Sequence, residues 1–452
     1  MDTDTFADAI TPWLAPTDQP LRAQLTLAIR QAIDSGQLAQ DVRLPPERAM
    51  ASALNVSRPT VSAVMEDLRT AGLVRSRQGS GTWVSGGSRA GGPAVPFVEL
   101  VQATGSIDLA SATAPDASLL PTIRIETADL LGVEPANGLT PVGLRELRRR
   151  IAERASASSP TETDDVIVTS GAHQALALVL AAETTPGATV LLEETTYGGL
   201  VDMVHANGCH PVAIPRDADG PIPDRLAELL RSHRPAAVVV VGSVHSPTGR
   251  VSSPQRCRDL AAVLRDTEAT VVIDETYAEL EFEPSGHHLV HALGDQAIRT
   301  GSLSKALWTG LRTGWIIMPE GHGRSIERRR WQQFDLGPSI PSQLFALAAL
   351  DTIDEALEVR RSLLRERSAW VQERIADRFP QWEATAVDGG LAVWIDAGED
   401  GDALADRASR QGVSVLPGRA CRVDQEATSF IRICFDRPID VLDDAFTRLE
   451  AG

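Results

Sequence analysis

Two hydrophobic periodicities divide the chain. In "LRAQLTLAIRQAI" the apolar positions Leu21, Leu25, Ala28, Ile29, Ala32 and Ile33 recur at three- and four-residue intervals, which predicts an amphipathic helix with Gly36 as its stop. A second short helix is expected over 45–54. "NVSRPTVSAVMEDLRTAGL" then turns at Asn55–Val56 and opens a third helix, with Ser57 as N-cap, Pro59 in the first turn, and Val61, Val64, Met65 and Leu68 as its buried stripe. "LVRSRQGSGTWV" reads as a two-stranded hairpin whose tip is Gly79-Ser80-Gly81. Helix, helix-turn-helix, hairpin is the order of a winged helix-turn-helix.

"SGGSRAGGPAVP" follows, rich in Gly, Ser and Pro as linkers are. Beyond it the period changes. "DVIVTS", "ATVLLE", "HPVAIP", "AAVVVVG", "TVVIDE", "AIRTGSLS" and "GWIIMP" are strand-like runs, most of them separated by helical stretches such as "GAHQALALVLAAE" and "PDRLAELLRSH". That alternation predicts an α/β domain on a mostly parallel sheet, with its ligand site at the carboxyl ends of the strands.

Charge separates the same two regions. The whole chain carries −18, which weighs against non-specific nucleic-acid binding by the molecule as a unit, yet Leu21–Val84 holds eight arginines against five acids. A small basic module therefore sits on an acidic body. The third helix presents Ser57, Arg58 and Thr60 at its N-terminal end, where free backbone N–H groups favour phosphate. Arg48 from the second helix, with Arg75, Arg77, Gln78 and Gly79 from the wing, would flank it on double-stranded DNA.

Composition then narrows the chemistry. Apolar content of 43% is ample for two or three domains, "MDTDTFADAI" lacks a signal-peptide pattern, and no 18-residue apolar run occurs, so a soluble cytoplasmic protein without membrane spans is expected. Cys209, Cys257, Cys421 and Cys434 show no metal spacing, and His287, His288 and His291 in "GHHLVHALG" read as loop histidines, so no metal is expected. Lys305, in "GSLSKALWTGLRTG", is the single lysine of the chain. A lysine, unlike an arginine, becomes a neutral nucleophilic amine when buried. Tyr197 in "TTYGG" and Tyr277 in "VVIDETY" are the only two tyrosines, and both fall beside strand ends. Ser170-Gly171-Ala172 leads from a strand into a helix whose first N–H groups can hold a phosphate.

These residues carry two resemblances. "LPPERAMASALNVSRPTVSAVMEDLRTAGLVRSRQGSGTWV" is similar, nearly residue for residue, to the GntR-family DNA-binding domain, with Asn55 and Met50 as its departures. From about residue 107, S-x-x-K, G-x-R-x-G and the upstream D-x-x-Y resemble fold-type I pyridoxal phosphate enzymes of the aminotransferase family. That resemblance implies a Schiff base between Lys305 and the cofactor, Asp274 paired with the pyridine nitrogen and Tyr277 bonded to the phenolic oxygen. It also implies Tyr197 stacked on the ring, the phosphate gripped by Ser302, Arg312 and the Gly171–Ala172–His173 backbone, and Arg432 of "SFIRICF" on a ligand carboxylate. Ser246 of "VHSPTGR" stands where the family has the Asn that reaches the phenolic oxygen, and Asn137 replaces a Tyr that reaches the neighbouring subunit's phosphate. Both departures weigh against efficient transamination and leave cofactor binding intact.

A GntR module joined to such a body resembles MocR-type transcriptional regulators. The expected organisation is a winged helix-turn-helix at 12–84, a linker at 85–106, a large cofactor-binding domain at 107–340 and a small C-terminal α+β domain at 341–452. The resemblance implies a head-to-tail homodimer that senses pyridoxal phosphate, or an amino compound joined to it, and binds an operator with repeated half-sites. Two rivals stand beside it: a working aminotransferase that carries a DNA-binding module, and a cofactor-independent regulator that uses the body as a scaffold.

Overall fold

The computed structural model describes residues 3–11, 21–34, 38, 42–54, 56–70, 74–77, 81–84, 97, 107–114, 116–286, 288–319 and 323–451, in two compact units, Met1–Val95 and Pro96–Gly452. The first unit contains α1 (Thr3–Ile10), α2 (Leu21–Asp34), α3 (Glu47–Ala53), α4 (Arg58–Thr70), β1 (Val74–Arg77) and β2 (Gly81–Val84). Thr60 N–H donates to Ser57 Oγ at 3.3 Å, the cap that starts α4 one residue after the turn. Leu25, Ile29, Val61, Val64, Met65 and Leu68 meet in one core with Val74 and Val84 of the antiparallel β1–β2 pair. The winged helix-turn-helix order is therefore present.

Three details differ from the periodicity. Leu21 is half exposed, so the buried stripe of α2 begins at Leu25. Helix α3 begins after Pro45 and Pro46 rather than at Pro45, with Pro46 as its N-cap. Upstream of the expected boundary at residue 12, α1 adds Phe6 and Ile10, both fully buried, to this core. Gly36, Asn55 and the wing tip at 78–80 lie outside the described residues.

In the second unit all seven strand-like runs enter one sheet. Its strands are β4 (Val166–Thr169), β5 (Thr189–Glu193), β6 (His210–Ile214), β9 (Ala237–Val241), β10 (Thr270–Asp274), β11 (Ile298–Ser302) and β12 (Gly314–Ile317), in the order β4-β12-β11-β10-β9-β5-β6. The sheet is parallel from β11 through β6, and β12 alone runs antiparallel to both of its neighbours. Between β6 and β9 lies the small antiparallel pair β7 (Arg216–Asp217) and β8 (Gly220–Pro221). Successive residues of the central strands feed different cores: Val190 and Leu192 pack with the helices Ala172–Glu183 and Gly198–Ala206, whereas Leu191, Val238 and Ile273 pack with the helices Pro223–His233 and Pro254–Arg265. Burial on both faces explains why these strands read as unbroken apolar runs.

The C-terminal part has a four-stranded antiparallel sheet, β13 (Glu383–Ala384), β14 (Ala392–Asp396), β17 (Phe430–Cys434) and β16 (Leu416–Pro417) in that order, beside the long helix Ile353–Arg378. A short strand, β3 (Ile107–Asp108), pairs in parallel with β15 (Val413–Ser414), so the chain entering this unit joins its C-terminal part before it builds the large sheet. Among the described residues no helix is long and apolar enough to cross a membrane.

One buried ion pair ties these parts to the lysine. Arg360 of the long helix and Asp436 beyond β17 are both almost fully buried, and Arg360 Nη1 donates to Asp436 Oδ1 at 2.8 Å while Nη2 reaches the Lys305 carbonyl at 3.4 Å. Removing one partner of such a pair leaves an uncompensated buried charge. Asp436 also pairs with Arg367, at 2.8 Å, so the uncompensated charge is made by removing the acid. Asp436→Ala, which strands the buried Arg360 guanidinium, should lower the unfolding free energy of this unit by about 3–5 kcal/mol, read from urea unfolding followed by circular dichroism; a loss below about 1 kcal/mol, the scale of a surface pair, would contradict it.

Candidate functional site

The carboxyl ends of the parallel strands open onto a cavity of about 240 Å³. Its walls include Ala172, His173, Tyr197, Ser246, Asp274, Tyr277, Ser302, Lys305, Arg312 and Arg432, residues that lie as far apart in the chain as Ala172 and Arg432. The structure thus brings together in one pocket every candidate named from sequence for this site except Gly171, which stands behind Arg312. Strand geometry explains the gathering, because β10, β11 and the β4-to-helix turn all end on the same side of the sheet.

Lys305 follows β11 and donates its amine hydrogen to the Ala112 carbonyl. Burial, helped by the charge of Arg432, pushes its ammonium down to about 8, so a large fraction is free amine in mildly alkaline solution. Asp274 ends β10. Thr276 N–H donates to its Oδ1 at 2.9 Å and the Thr276 hydroxyl donates to the same oxygen, while among the described residues no hydrogen bond reaches Oδ2. Burial raises this carboxyl above its usual range, only partly offset by Thr276 and the Lys305 charge. Half of the acceptor capacity of Asp274 is thus available to whatever enters.

At the other end of the cavity Gly171, with φ of 120°, caps the helix Ala172–Glu183, and the first N–H groups of that helix have no intrahelical partner. Arg312 adopts a left-handed conformation (φ 51°, ψ 44°) that is uncommon for a non-glycine residue, and a Cβ on Gly171 would come 3.3 Å from its Nη2. Gly314, which completes G-x-R-x-G, is needed because a Cβ there would lie 2.6 Å from the Gly171 backbone. Arg312 has no ion-pair or hydrogen-bond partner among the described residues. A helix N-terminus and an unpaired guanidinium side by side make an anion site. Ser302 lines the same end, with its hydroxyl donated to the Thr313 carbonyl at 3.0 Å and accepting from Ser304 N–H at 3.1 Å. Its proton must turn before it can serve an anion.

The tyrosines form the remaining walls. Burial pushes the Tyr197 phenol up to about 12, and burial with the Arg312 charge lowers His173, so a protonated Tyr197 hydroxyl and a neutral His173 Nδ1 share a hydrogen bond at 3.1 Å. Burial likewise raises Tyr277, whose hydroxyl meets that of Ser246. Arg432 is 2% exposed, donates Nη2 to the Ala110 carbonyl and keeps Nε without a partner. Sequence reasoning missed Thr276, Ser304, Thr309, Phe97 and the 111–113 segment, all of which line the cavity. Of these only Thr276 had a local signal, the Asp-x-Thr spacing that lets a side chain and backbone N–H close on the same carboxylate.

In the first unit Arg48, Ser57 and Arg58 are exposed and Thr60 is half-buried at the start of α4. Ser57 Oγ is shared with Thr60 Oγ1 at 2.7 Å, so its first task is capping. The side chains of Arg75 and Arg77, and all of Gln78 and Gly79, lie outside the described residues. Arg43, not singled out from sequence, is exposed and stacks over Trp83 of the wing, its guanidinium 5.7 Å from the ring centroid.

The fold and cavity define an aminotransferase-like body that carries a winged helix-turn-helix. Residues 105–449 match the family described as aminotransferase class I and II, and residues 21–84 match the bacterial regulatory proteins of the gntR family. The chain belongs to the class I and II aminotransferase family, in the MocR-type arrangement of a GntR module followed by that body. It is 26% identical over 416 residues to the HTH-type transcriptional regulator YisV of Bacillus subtilis, covering 84% of each chain. To the vitamin B6 salvage pathway transcriptional repressor PtsJ of Salmonella typhimurium it is 27% identical over 401 residues, covering 87% of this chain and 89% of that one. Among solved structures, kynurenine aminotransferase of Pyrococcus horikoshii superposes with a TM-score of 0.67 at 21% identity, over 78% of this chain and 92% of that chain.

The family's cofactor, pyridoxal phosphate, fits the unpaired groups of the cavity. Asp274 Oδ2 offers an acceptor, Arg312 beside the Gly171 turn a cationic anion site, and Lys305 an amine between them. Because Lys305 is the only lysine, its titration can be read directly. Reductive labelling with a small aldehyde, followed by peptide mapping, should modify Lys305 with a midpoint near pH 8, against about 10.4 for a free lysine. Modification falls below the midpoint because the ammonium has no lone pair; a midpoint above about 10, the free-lysine range, would contradict the buried amine.

Proposed function

We propose that this chain is a DNA-binding transcription regulator whose aminotransferase-like body binds pyridoxal phosphate and uses its occupancy as a signal. The observation that carries this reading is the coexistence in one chain of an exposed arginine-bearing recognition helix and a cavity whose acid, amine and guanidinium are left for a ligand. When bound, the cofactor supplies an aldehyde that takes up amines and a ring that withdraws electrons from them. The chain's own residues would do the rest. Lys305 would present its free amine, and Asp274, held by Thr276 on one oxygen, would keep a proton on the ring nitrogen with the other. Tyr277, with Ser246 against its hydroxyl, would bond the phenolic oxygen, and Tyr197 would lie on the ring face. Gly171, Ala172 and His173 N–H groups with Arg312 and Ser302 would take the phosphate. Arg432, with its free Nε, would select an effector carboxylate.

Several finer points belong to the same reading. Asn137 is exposed, with its Oδ1 accepting from Leu139 N–H, and Leu131 and Trp331 leave 78% and 55% of their surface uncovered. Exposed apolar side chains of this size support a homodimer, head to tail, that brings two winged helices to repeated half-sites. Such a protein works in the cytoplasm. Ser246 and Asn137 weigh against transamination beyond a residual level, and the working aminotransferase is the alternative.

Two measurements decide among these readings. Titrating pyridoxal phosphate should give a long-wavelength absorbance band and change the affinity for a duplex selected by the protein from random sequence, and Lys305→Ala should abolish both. Sustained turnover of an amino donor and a keto acid would instead make the chain an enzyme, and DNA binding indifferent to both cofactor and Lys305→Ala would leave only a scaffold. At the DNA end, Arg58→Ala should weaken binding to all sequences and reduce the slope of log affinity against log salt by about 1. An unchanged slope would remove Arg58 from the phosphate contacts.

A further inference from the structure

Neither family match covers Phe97: the gntR match ends at residue 84 and the aminotransferase match begins at 105. Yet Phe97 is part of the cavity wall. Its ring stands edge-on to Tyr197, with centroids 5.0 Å apart and planes at 83°, and the residue is buried. Its backbone N–H donates to Asp202 Oδ2 at 2.7 Å, on the helix that Tyr197 caps. The seat is close-fitting: a Cβ on Gly198 would collide with both the Ala420 carbonyl and the Phe97 ring, and Ala110, Ala420 and Cys421 complete the socket. A carboxylate anchor, a glycine cut-out and an edge-to-face partner together hold one residue of the interdomain segment against the ligand site.

We propose that Phe97 is a positioning residue of the cofactor site and the point at which occupancy of that site is read by the linker to the DNA-binding unit. This rests on the reading of the cavity as a cofactor-responsive sensor. Phe97 and Tyr197 both line the cavity and meet edge to face, so a ring filling the cavity packs against Tyr197 while Phe97 holds Tyr197 in place. Ligand and seated Phe97 therefore stabilise each other, and ligand binding shifts the linker toward the seated state by its differential affinity for the two. Seating matters to the DNA-binding unit through length. With Phe97 held, 12 residues separate Val84 from the body, whereas 22 separate Val84 from Ile107. For flexible tethers that difference changes effective concentration by roughly 2.5-fold, beyond any effect on orientation.

The test uses the full-length protein, with pyridoxal phosphate as ligand and a duplex selected from random sequence by the wild type. In Phe97→Ala, cofactor affinity should fall about 3- to 10-fold, the scale of one edge-to-face aromatic contact, while binding stays saturable. Affinity for DNA without cofactor should stay within about two-fold of wild type, and the cofactor-induced change in DNA affinity, about 5- to 150-fold for an ordinary allosteric coupling, should collapse toward none. Asp202→Asn, which weakens the anchor and leaves the ring in place, should reduce the response in the same direction, and Phe97→Leu should restore part of it. If Phe97→Ala does not fold, the Asp202→Asn and Phe97→Leu proteins carry the comparison. Full retention of the wild-type response in these variants overturns the proposal. Absence of any response in the wild type overturns the sensor reading instead, and the cofactor affinity of Phe97→Ala against wild type then still decides whether Phe97 supports the site.

Discussion

Everything at the ligand site depends on charged groups that the folded chain gathers around one cavity without pairing them with one another. Asp274 spends one carboxylate oxygen on Thr276 and leaves the other in the cavity, Arg312 faces the same space with no carboxylate opposite, and Lys305 is driven toward its neutral form. A protein that only needed stability would have filled this space with apolar side chains, since unsatisfied buried polar groups cost more than they return. The arrangement becomes favourable when a ligand carrying an N–H, an anion and an electrophilic carbonyl supplies the missing partners. Arg360, Asp436 and the Lys305 carbonyl show how the surrounding structure holds these groups in place, with a buried pair that fixes the long helix, the C-terminal sheet and the lysine loop to one another.

Much of this was legible in the sequence for reasons that can be named. Lys305 stood out because arginine takes every other basic position, and Asp274 and Tyr277 because a strand-like run ended in D-x-x-Y. The seven runs became the seven strands because burial on both faces imposes continuous apolar sequence. Other features leave no such mark. Whether Leu21 faces the core depends on where its neighbours lie, and α1 carries just two large apolar residues, Phe6 and Ile10, in a short stretch. Phe97 was hidden by its context, since a Gly- and Pro-rich segment reads as spacer whatever single aromatic it contains. Its role comes from Gly198 and Asp202, a hundred positions away.

The two family matches divide the labour of the chain, and the physics suggests why they are joined. A module with few exposed arginines binds DNA weakly and reads phosphate before sequence, so its occupancy of a site responds to small changes in geometry or effective concentration. A cavity that gains several charge-assisted contacts on binding has free energy available to drive such a change. The departures at Ser246 and Asn137 fit a site kept for binding rather than for turnover: Ser246 meets the Tyr277 hydroxyl, and Asn137 closes a turn at the surface.

Coupling of this kind is reciprocal, and reciprocity provides the most direct test of the account. The affinity of the full-length protein for pyridoxal phosphate, measured by absorbance with and without saturating duplex, should differ by the same factor by which the cofactor changes the affinity for that duplex. Identical cofactor affinities in the two conditions would show that the cavity and the DNA-binding unit do not communicate.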